Sequence, residues 1–253
     1  MLNGLEFKSQ YDKKGYCCIP SLLSEAEVVR LKEYVDLYIK NFAPMLEGRN
    51  VNWLDKEKGL VNSIHKTDLD PESPITALLH SDKLINIVSN FFSEKALPRV
   101  AEIFFKPAKQ GMRSPMHQDN YYWCLKPANA LTVWISLTGA NEENGGVGYY
   151  PGSHKLGILN HVDSFAPGSS QMVKPDLLPE KSQIVVPNLN PGDALFHHSL
   201  TIHGSDANSS IRDRVGVTLQ YQAKSCEIDL EQQQVYLNSL KNQVASREEL
   251  VRS

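Results

Sequence analysis

A series of short β-prone segments, separated by turn sequences, occupies the second half of the chain and constrains its fold most strongly. The segments are rich in β-branched and aromatic residues, and they are 100–106, 131–137, 147–150, 183–187, 194–199 and 215–223. The separators contain Gly, Pro, Asn and Asp, which favour turns, and they are 143–146, 151–152 and 191–193. Many short strands joined by such turns predict a β-sandwich or barrel.

Helices are predicted before this β-rich part. Ser24 and Glu27 have the S-x-x-E spacing of a capping box, and apolar residues at helical spacing follow to about residue 42. Ser73, which a proline follows, and Ser81 predict the starts of two further helices that pack outside the sheet.

Four other stretches complete the predicted order of elements. A β-like segment is expected at 15–20, whereas 44–70 looks irregular and polar. Residues 155–182 are expected to form a long insertion with little regular structure, a candidate lid or active-site loop. A polar helix is predicted from about Asp229.

The length favours a single domain. The chain has 253 residues, of which 41% are hydrophobic, and this suits one sandwich or barrel with helical additions better than two small domains. The predicted parts are a helical N-terminal part at 1–98, a β core at 99–224 and a C-terminal helix at 225–253.

Composition argues against several classes of partner. The formal net charge is −3 with no block of like charges, so no nucleic-acid-binding face is expected. No run approaches the roughly 20 apolar residues of a membrane span, and residues 1–14 lack the apolar core of a signal peptide. The four cysteines include no C-x-x-C pair and fit a reducing compartment. We therefore expect a cytoplasmic protein whose partner is a small molecule.

A His-x-Asp pair predicts part of a metal site. His117 and Asp119 are two residues apart, and such residues point to the same face of an extended chain. His203 is the candidate third ligand, because a glycine follows it and an arginine-bearing strand comes soon after. Two imidazoles and one carboxylate on one face of a metal form the facial triad of non-haem Fe(II) oxygenases. The open positions of such a metal can take a 2-oxo acid and O2.

The other histidines and two arginines need separate interpretations. His197 and His198 are interpreted mainly as structural residues, with a supporting contact to the ligands as the functional alternative. His154 is interpreted as a turn residue that hydrogen-bonds its own loop. Arg212 and Arg214 fall on one face of the predicted strand, where a buried arginine needs a carboxylate or phosphate partner. An arginine there is a candidate clamp for the remote carboxylate of 2-oxoglutarate.

The ordered set of these motifs resembles the phytanoyl-CoA dioxygenase family of Fe(II)/2-oxoglutarate oxygenases. The matching residues run over most of the chain, and they are Gly15-Tyr16, Leu22-Leu23-Ser24, His117-Gln118-Asp119, Trp134, 142–146, 151–154, 191–193, 203–205 and Arg214. The resemblance implies a mainly β fold, with a double-stranded β-helix (jelly roll, cupin-like) core preceded by N-terminal helices.

The resemblance also implies a cofactor, a cosubstrate and the residues that hold them. His117, Asp119 and His203 would hold Fe(II). Arg214, by the family spacing, would bind the distal carboxylate of 2-oxoglutarate, and Trp134 would line the cosubstrate pocket. With O2, such an enzyme would hydroxylate an unactivated C–H bond of a small molecule and release succinate and CO2.

Two alternatives come from other classes. A metal-dependent jelly-roll isomerase or hydrolase that does not use O2 would keep the three ligands but would not need Arg214. A non-catalytic binding module on the same scaffold is the second alternative, since fold does not fix function.

Two further sets of residues bear on the cavity. In the family that the chain resembles, some members have a lysine where Ser63 aligns; His65 or Lys66 is the candidate substitute, and absence of the contact is the alternative. Three aromatic residues near the metal motif are candidate substrate contacts, with core packing as the alternative, and they are Tyr121, Trp123 and Tyr150.

Overall fold

The structure, a computed structural model, describes residues 4–48, 50–166 and 169–252. The predicted limits of the domain, residues 1 and 253, lie outside them. The helices are α1 (Gly4–Lys14), α2 (Glu25–Asn41), α3 (Pro74–Leu79), α4 (Asp82–Phe92), α5 (Asp119–Trp123) and α6 (Leu230–Arg252). The strands are β1 (Tyr16–Ile19), β2 (Val51–Asp55), β3 (Leu60–Ile64), β4 (Ala96–Lys106), β5 (Ser114–His117), β6 (Leu125–Lys126), β7 (Ala130–Ser136), β8 (Gly148–Tyr149), β9 (His161–Ala166), β10 (Ser169–Val173), β11 (Ala194–His198), β12 (His203–Ser205), β13 (Arg214–Ala223) and β14 (Glu227–Ile228).

Two antiparallel sheets form the core. Among the described residues, the larger sheet has seven strands in the order β1-β11-β7-β13-β4-β3-β2, and a smaller sheet has the order β5-β12-β8. Side chains from both sheets line one cavity between them. The predicted mainly β architecture is therefore confirmed.

The N-terminal helices begin where the capping residues predict. Ser24 caps α2, its hydroxyl accepts from the amide of Glu27, and the Glu27 carboxylate accepts from the Ser24 amide at 2.7 Å. Ser73 and Ser81 cap α3 and α4 through their hydroxyls alone, which accept from the amides of Ile75 and Leu84. The Tyr221 hydroxyl of β13 donates to a carbonyl of α3, so these helices cover the outer face of the larger sheet.

Two stretches predicted to be irregular contain hairpins. Residues 44–70 include β2 and β3, which extend the larger sheet beside β4, so that prediction is wrong. Residues 155–182 include the paired strands β9 and β10. Both hairpins contribute polar residues to the cavity, and for this reason they lack a clear apolar alternation in sequence. Residues 167 and 168 of the second stretch lie outside the described residues.

Other local predictions are corrected. The aromatic run after the metal motif lies in the short helix α5, where the Cys124 amide donates to the Asn120 carbonyl at 2.8 Å. Residues 183–187, predicted to form a strand, contain only the last residue of a 3-10 helix and a single β-bridge between Val185 and Tyr149. His154 bonds to the Asp12 carbonyl at the end of α1, a helix that the sequence did not indicate, and not to its own loop. No helix in the described part of the chain combines the length and apolar character needed to cross a membrane.

Candidate active site

The three predicted ligands meet at one point between the two sheets. His117 ends β5, His203 begins β12, and the two lie opposite each other in the strand pairing, with ring centroids 4.3 Å apart. Asp119 begins α5, and its Oδ1 lies 3.6 Å from Nε2 of His117 and 3.5 Å from Nε2 of His203. The ligand atoms of this group all lie within 4.8 Å of one another, a spacing that could hold a metal ion.

Backbone hydrogen bonds aim both imidazoles at this point. Nδ1 of His117 lies 2.8 Å from the Pro115 carbonyl, and Nδ1 of His203 lies 2.9 Å from the Thr201 carbonyl. Because a carbonyl only accepts, each Nδ1 carries the proton and donates it. Each Nε2 therefore has a free lone pair that is directed toward Asp119, the tautomer that a metal ligand requires.

Burial sets the charges of this group. Desolvation lowers the pKa of His203 well below its usual value, so the ring is neutral. Burial alone would raise the pKa of Asp119, but the polar groups around its carboxylate outweigh that effect and hold the pKa well below its usual range. A neutral imidazole beside an ionised carboxylate is the protonation state from which a metal binds without displacing protons.

The second oxygen of the carboxylate has its own donors. Thr132 Oγ1 donates to Asp119 Oδ2 at 2.7 Å, and Nε2 of His197 lies 3.3 Å from the same oxygen. Nδ1 of His197 lies 2.9 Å from the Tyr149 hydroxyl, which donates to it when Nε2 carries the proton. Oδ2 is thus occupied and Oδ1 is left to face the two histidines. His198, by contrast, packs away from the site, with its ring centroid 6.0 Å from that of Tyr11.

The group opens into a cavity of about 770 Å³. Its walls come from the larger sheet, from β5 and β12, from α5 and α6 and from the β9–β10 hairpin. The polar and charged side chains of the wall, apart from the metal group, include Asn52, His65, Lys66, Arg99, Glu102, Arg214 and Gln220. This size and this mixture of groups suit a small organic ligand together with a second polar molecule.

Arg214 lies at the buried start of β13 and has more donors than partners. One nitrogen, Nη2, donates to the Gly145 carbonyl at 3.1 Å, while Nε and Nη1 have no hydrogen-bond partner in the part of the chain that the structure describes. Trp134 lies beside it, with the guanidinium carbon 5.2 Å from the ring centroid. Burial lowers the pKa of Arg214, and also that of the neighbouring Lys106 to about 6. A buried guanidinium with two unused nitrogens indicates a place for an anion.

Arg212 does not share this position. The strand begins at Arg214, and Arg212 is exposed in the preceding loop, so the expectation that both lie on one strand face is wrong. The structure thus brings together four of the predicted functional residues around Trp134, and they are His117, Asp119, His203 and Arg214.

The relation to known proteins agrees with this geometry. A sequence model of the family described as phytanoyl-CoA dioxygenase (PhyH) matches residues 11–216. The chain belongs to this family of Fe(II)/2-oxoglutarate oxygenases.

Individual relatives are more distant. The chain is 27% identical over 218 residues to a probable alpha-ketoglutarate-dependent hypophosphite dioxygenase of Stutzerimonas stutzeri, covering 83% of this chain and 75% of that protein. It is 26% identical over 254 residues to the ectoine dioxygenase of Bordetella bronchiseptica, covering 94% and 80%. A structural match is the crystal structure of the non-heme alpha-ketoglutarate-dependent carbocyclase SnoK from nogalamycin biosynthesis. The two chains superpose with a TM-score of 0.69 at 23% identity, over 88% of this chain and 85% of SnoK. This match supports the jelly-roll fold.

In this PhyH-family chain, the predicted aromatic contacts separate into two groups. Trp123 lines the cavity. Tyr121 is buried against His161, with ring centroids 4.0 Å apart, and Tyr150 is buried in a small apolar cluster; neither is among the cavity-lining residues that the structure describes. Tyr122, between the two α5 residues named above, lines the cavity instead.

Ser63 and its two candidate substitutes, His65 and Lys66, differ in whether they reach the cavity. Ser63 is fully buried, and its hydroxyl accepts from Asn52 at 2.9 Å, so it does not reach the cavity. His65 and Lys66 both line the cavity, and His65 forms an ion pair with Glu102 at 2.6 Å.

Two contributors to the site carried only a weak sequence signal. Thr132 precedes Trp134 by two residues in β7, so the period of a strand places both on one face. By the same period of two, Glu102 lies on the same face of β4 as Phe104, and both line the cavity. Tyr149, which orients His197, has no such signal, because it comes from a two-residue strand of the opposite sheet.

Proposed function

We propose that the protein is an Fe(II)- and 2-oxoglutarate-dependent dioxygenase that hydroxylates an unactivated C–H bond of a small molecule. Family membership supports the enzyme class. The hydroxylation is a finer assignment, since relatives in the wider set are named as a carbocyclase and as an epimerase.

His117, Asp119 and His203 are the residues proposed to hold iron. The supporting observation is their donor set: two Nε2 lone pairs and one carboxylate oxygen converge, with both Nδ1 protons already given to the backbone. Three protein ligands on one side leave the other side of an octahedral ion open for further ligands. The residues present therefore fit the ion.

Arg214 is proposed to bind the distal carboxylate of 2-oxoglutarate. Its two unpartnered nitrogens are the observation that carries the assignment, because a guanidinium fork matches a carboxylate with two parallel hydrogen bonds. Trp134 packs over the guanidinium and restricts its direction.

The division of labour follows from these positions. Bound iron with 2-oxoglutarate and O2 supplies the oxidising chemistry, and succinate and CO2 are its products. The chain's own residues orient the ligands and hold their protonation states. His197 and Thr132 fix the carboxylate of Asp119, while Arg214 fixes the cosubstrate.

Product analysis under ¹⁸O₂ tests the reaction. The purified protein, loaded with Fe(II), is incubated with 2-oxoglutarate and candidate small molecules, and succinate and products are measured by mass spectrometry. A product that is one ¹⁸O atom heavier, formed with stoichiometric succinate, is the expected result. A product lighter by two hydrogens would replace hydroxylation by desaturation or ring closure. Turnover of a substrate without consumption of O2 and 2-oxoglutarate would favour the oxygen-independent alternative.

A further inference from the structure

A β-bulge shapes part of the cavity wall that the larger sheet provides. In the pairing of β13 with β4, Leu219 lies opposite Ala101, but Tyr221 lies opposite Pro98. Two residues of β4, Arg99 and Val100, therefore face the single residue Gln220. Such a bulge redirects side chains and is common next to active sites.

The bulge turns Arg99 into the cavity. Regular alternation would place residues 100, 102 and 104 on one face and residue 99 on the other. All four of these residues nevertheless line the cavity. Arg99 is thus an additional cation in the wall, at a position that a regular strand would give to the opposite face of the sheet.

The guanidinium of Arg99 is only partly satisfied. It lies over the ring of Trp123, with its central carbon 5.4 Å from the ring centroid, and Nη1 donates to Gln222 Oε1. Nε is buried and has no hydrogen-bond partner among the described residues. No carboxylate among the described side chains forms an ion pair with Arg99, and burial lowers its pKa, as expected for a cation without a counter-ion.

The nearest acidic group on the same strand is already used. Glu102 Oε1 lies 2.6 Å from Nδ1 of His65, and its Oε2 accepts from Gln220 Nε2 at 3.1 Å. Both oxygens therefore have partners, and the charge and hydrogen bond of Glu102 raise the pKa of His65 above its usual value despite burial. The carboxylate of Glu102 does not neutralise Arg99.

Arg99 and Arg214 lie at opposite ends of the cavity. Arg214 begins β13, whereas the bulge faces Gln220 six residues later, a separation of about 20 Å along an extended strand. Gln220 is also paired with Thr132, which donates to Asp119. Arg99 is thus near the level of the metal group, on the side away from the proposed 2-oxoglutarate clamp.

We propose that Arg99 binds an anionic group of the substrate, a carboxylate or a phosphate-type group, with Trp123 supporting one face of the guanidinium. The aromatic residues Tyr122 and Tyr236 complete the adjacent wall and suit an organic body attached to that anion. The inference rests on the proposed function, since it assigns the chemical class of the substrate in the same cavity.

Calorimetric titration with matched probes tests this assignment. The protein is loaded with Zn(II), which is redox-inert, then titrated with 2-oxoglutarate, and only afterwards with phenylacetate, phenylphosphonate or the neutral phenylacetamide. The variants are Arg99→Gln, Arg99→Lys and, as a control, Arg113→Gln, which removes an exposed cation outside the cavity wall. Thermal melts show whether each variant is folded.

We expect both acids to bind the wild-type protein and Arg113→Gln at least tenfold more tightly than the amide. Arg99→Gln is expected to lose this preference, and Arg99→Lys to keep part of it, because lysine retains the charge without the planar fork. The inference is overturned if acid and amide bind the wild-type protein equally, if no acid binds, or if Arg99→Gln keeps the preference. The titration with 2-oxoglutarate separates the Arg99 assignment from the proposed function. If 2-oxoglutarate binds but the protein shows no preference for acids, only the Arg99 assignment is contradicted. If 2-oxoglutarate does not bind, both the proposed function and the Arg99 assignment are contradicted.

Discussion

His203 lies directly opposite His117 on the neighbouring antiparallel strand, and their ring centroids are 4.3 Å apart. The backbone ladder between β12 and β5 therefore fixes the distance between the two imidazoles before any metal binds. Asp119 follows His117 by two residues and completes the group from the first turn of α5. The site is thus largely preorganised by main-chain hydrogen bonds.

Removal of one imidazole is expected to abolish tight iron binding. His203→Ala leaves only one nitrogen and one carboxylate, and we expect the affinity for Fe(II) to fall more than about 100-fold, beyond the 10–100-fold that loss of a supporting residue costs. Anaerobic equilibrium dialysis measures the affinity, and circular dichroism checks the fold. His80→Gln, at an exposed position, is the control. Unchanged iron affinity in His203→Ala would remove His203 from the ligand set.

Arg214→Gln is expected to weaken 2-oxoglutarate binding without weakening iron binding. Loss of a bidentate, charge-assisted contact costs about 3 kcal/mol, roughly a hundredfold in affinity. The ligand-free variant should be no less stable than the wild-type protein, because the buried nitrogens Nε and Nη1 have no partner. Titration calorimetry and thermal melts with and without 2-oxoglutarate measure both effects. The exposed Arg212→Gln should match the wild-type protein, and a normal 2-oxoglutarate affinity in Arg214→Gln would contradict the clamp.

The contact between His197 and Asp119 is expected to tune the metal site. His197→Phe removes one of two donors to Asp119 Oδ2 and should lower Fe(II) affinity about 10–100-fold. Tyr149→Phe removes only the hydroxyl that orients His197, so we expect a smaller loss. Iron titrations of the two single variants and of the double variant give the coupling free energy between Tyr149 and His197. Additive losses would mean that Tyr149 does not act through His197.

Gly216→Ala is expected to disturb the cosubstrate pocket through Trp134. A Cβ at Gly216 would overlap the indole ring of Trp134, which packs over Arg214. Overpacking of this kind costs about 1–3 kcal/mol, and here we expect 2-oxoglutarate affinity to fall by tenfold or more. Tryptophan fluorescence measures a change in the surroundings of the Trp134 ring, and calorimetry measures the affinity for 2-oxoglutarate. Gly4→Ala adds a Cβ with no atom within 4 Å and serves as the control. Normal affinity in Gly216→Ala would show that the position of Trp134 is not critical.

The His65–Glu102 pair gives a pH-dependent contribution to stability. Burial would lower the pKa of His65, but the charge of Glu102 and its hydrogen bond outweigh this and raise it. The pair's contribution to the free energy of unfolding is therefore fully present below the unfolded pKa of histidine, about 6.5, as long as Glu102 is ionised. This contribution is lost as the pH rises through the raised pKa of His65 in the folded protein. Denaturation of wild-type protein and His65→Gln should show an excess wild-type stability of roughly 1–3 kcal/mol near pH 6 that shrinks toward pH 9. The same excess at both pH values would contradict the linkage, and Glu102→Gln should abolish its pH dependence.

The sequence predicts the parts of this molecule that depend on local spacing. The two-residue interval of His117 and Asp119 holds because the chain is extended up to Gln118. The capping box at Ser24 and Glu27 starts α2 because it needs only four consecutive residues. Such features carry their geometry within a few residues, so they can be read without the fold.

The residues that escaped prediction depend on pairing between distant strands. Arg99 reaches the cavity only because a bulge opposite Gln220 breaks the period of two. His65 reaches it through the β2–β3 hairpin, whose polar inner side hides the strand pattern. Tyr150 is predicted as a substrate contact from its place on a strand near the metal motif, but its ring packs in an apolar cluster, whereas the neighbouring Tyr149 bonds to His197.

The most direct test of the central claim is an anaerobic visible spectrum of the protein with Fe(II), recorded before and after 2-oxoglutarate is added. The account predicts a weak charge-transfer band that needs both components, is absent in Asp119→Ala and is strongly reduced in Arg214→Gln at limiting 2-oxoglutarate. Iron binding without any such band in the wild-type protein would contradict a 2-oxoglutarate site beside the metal.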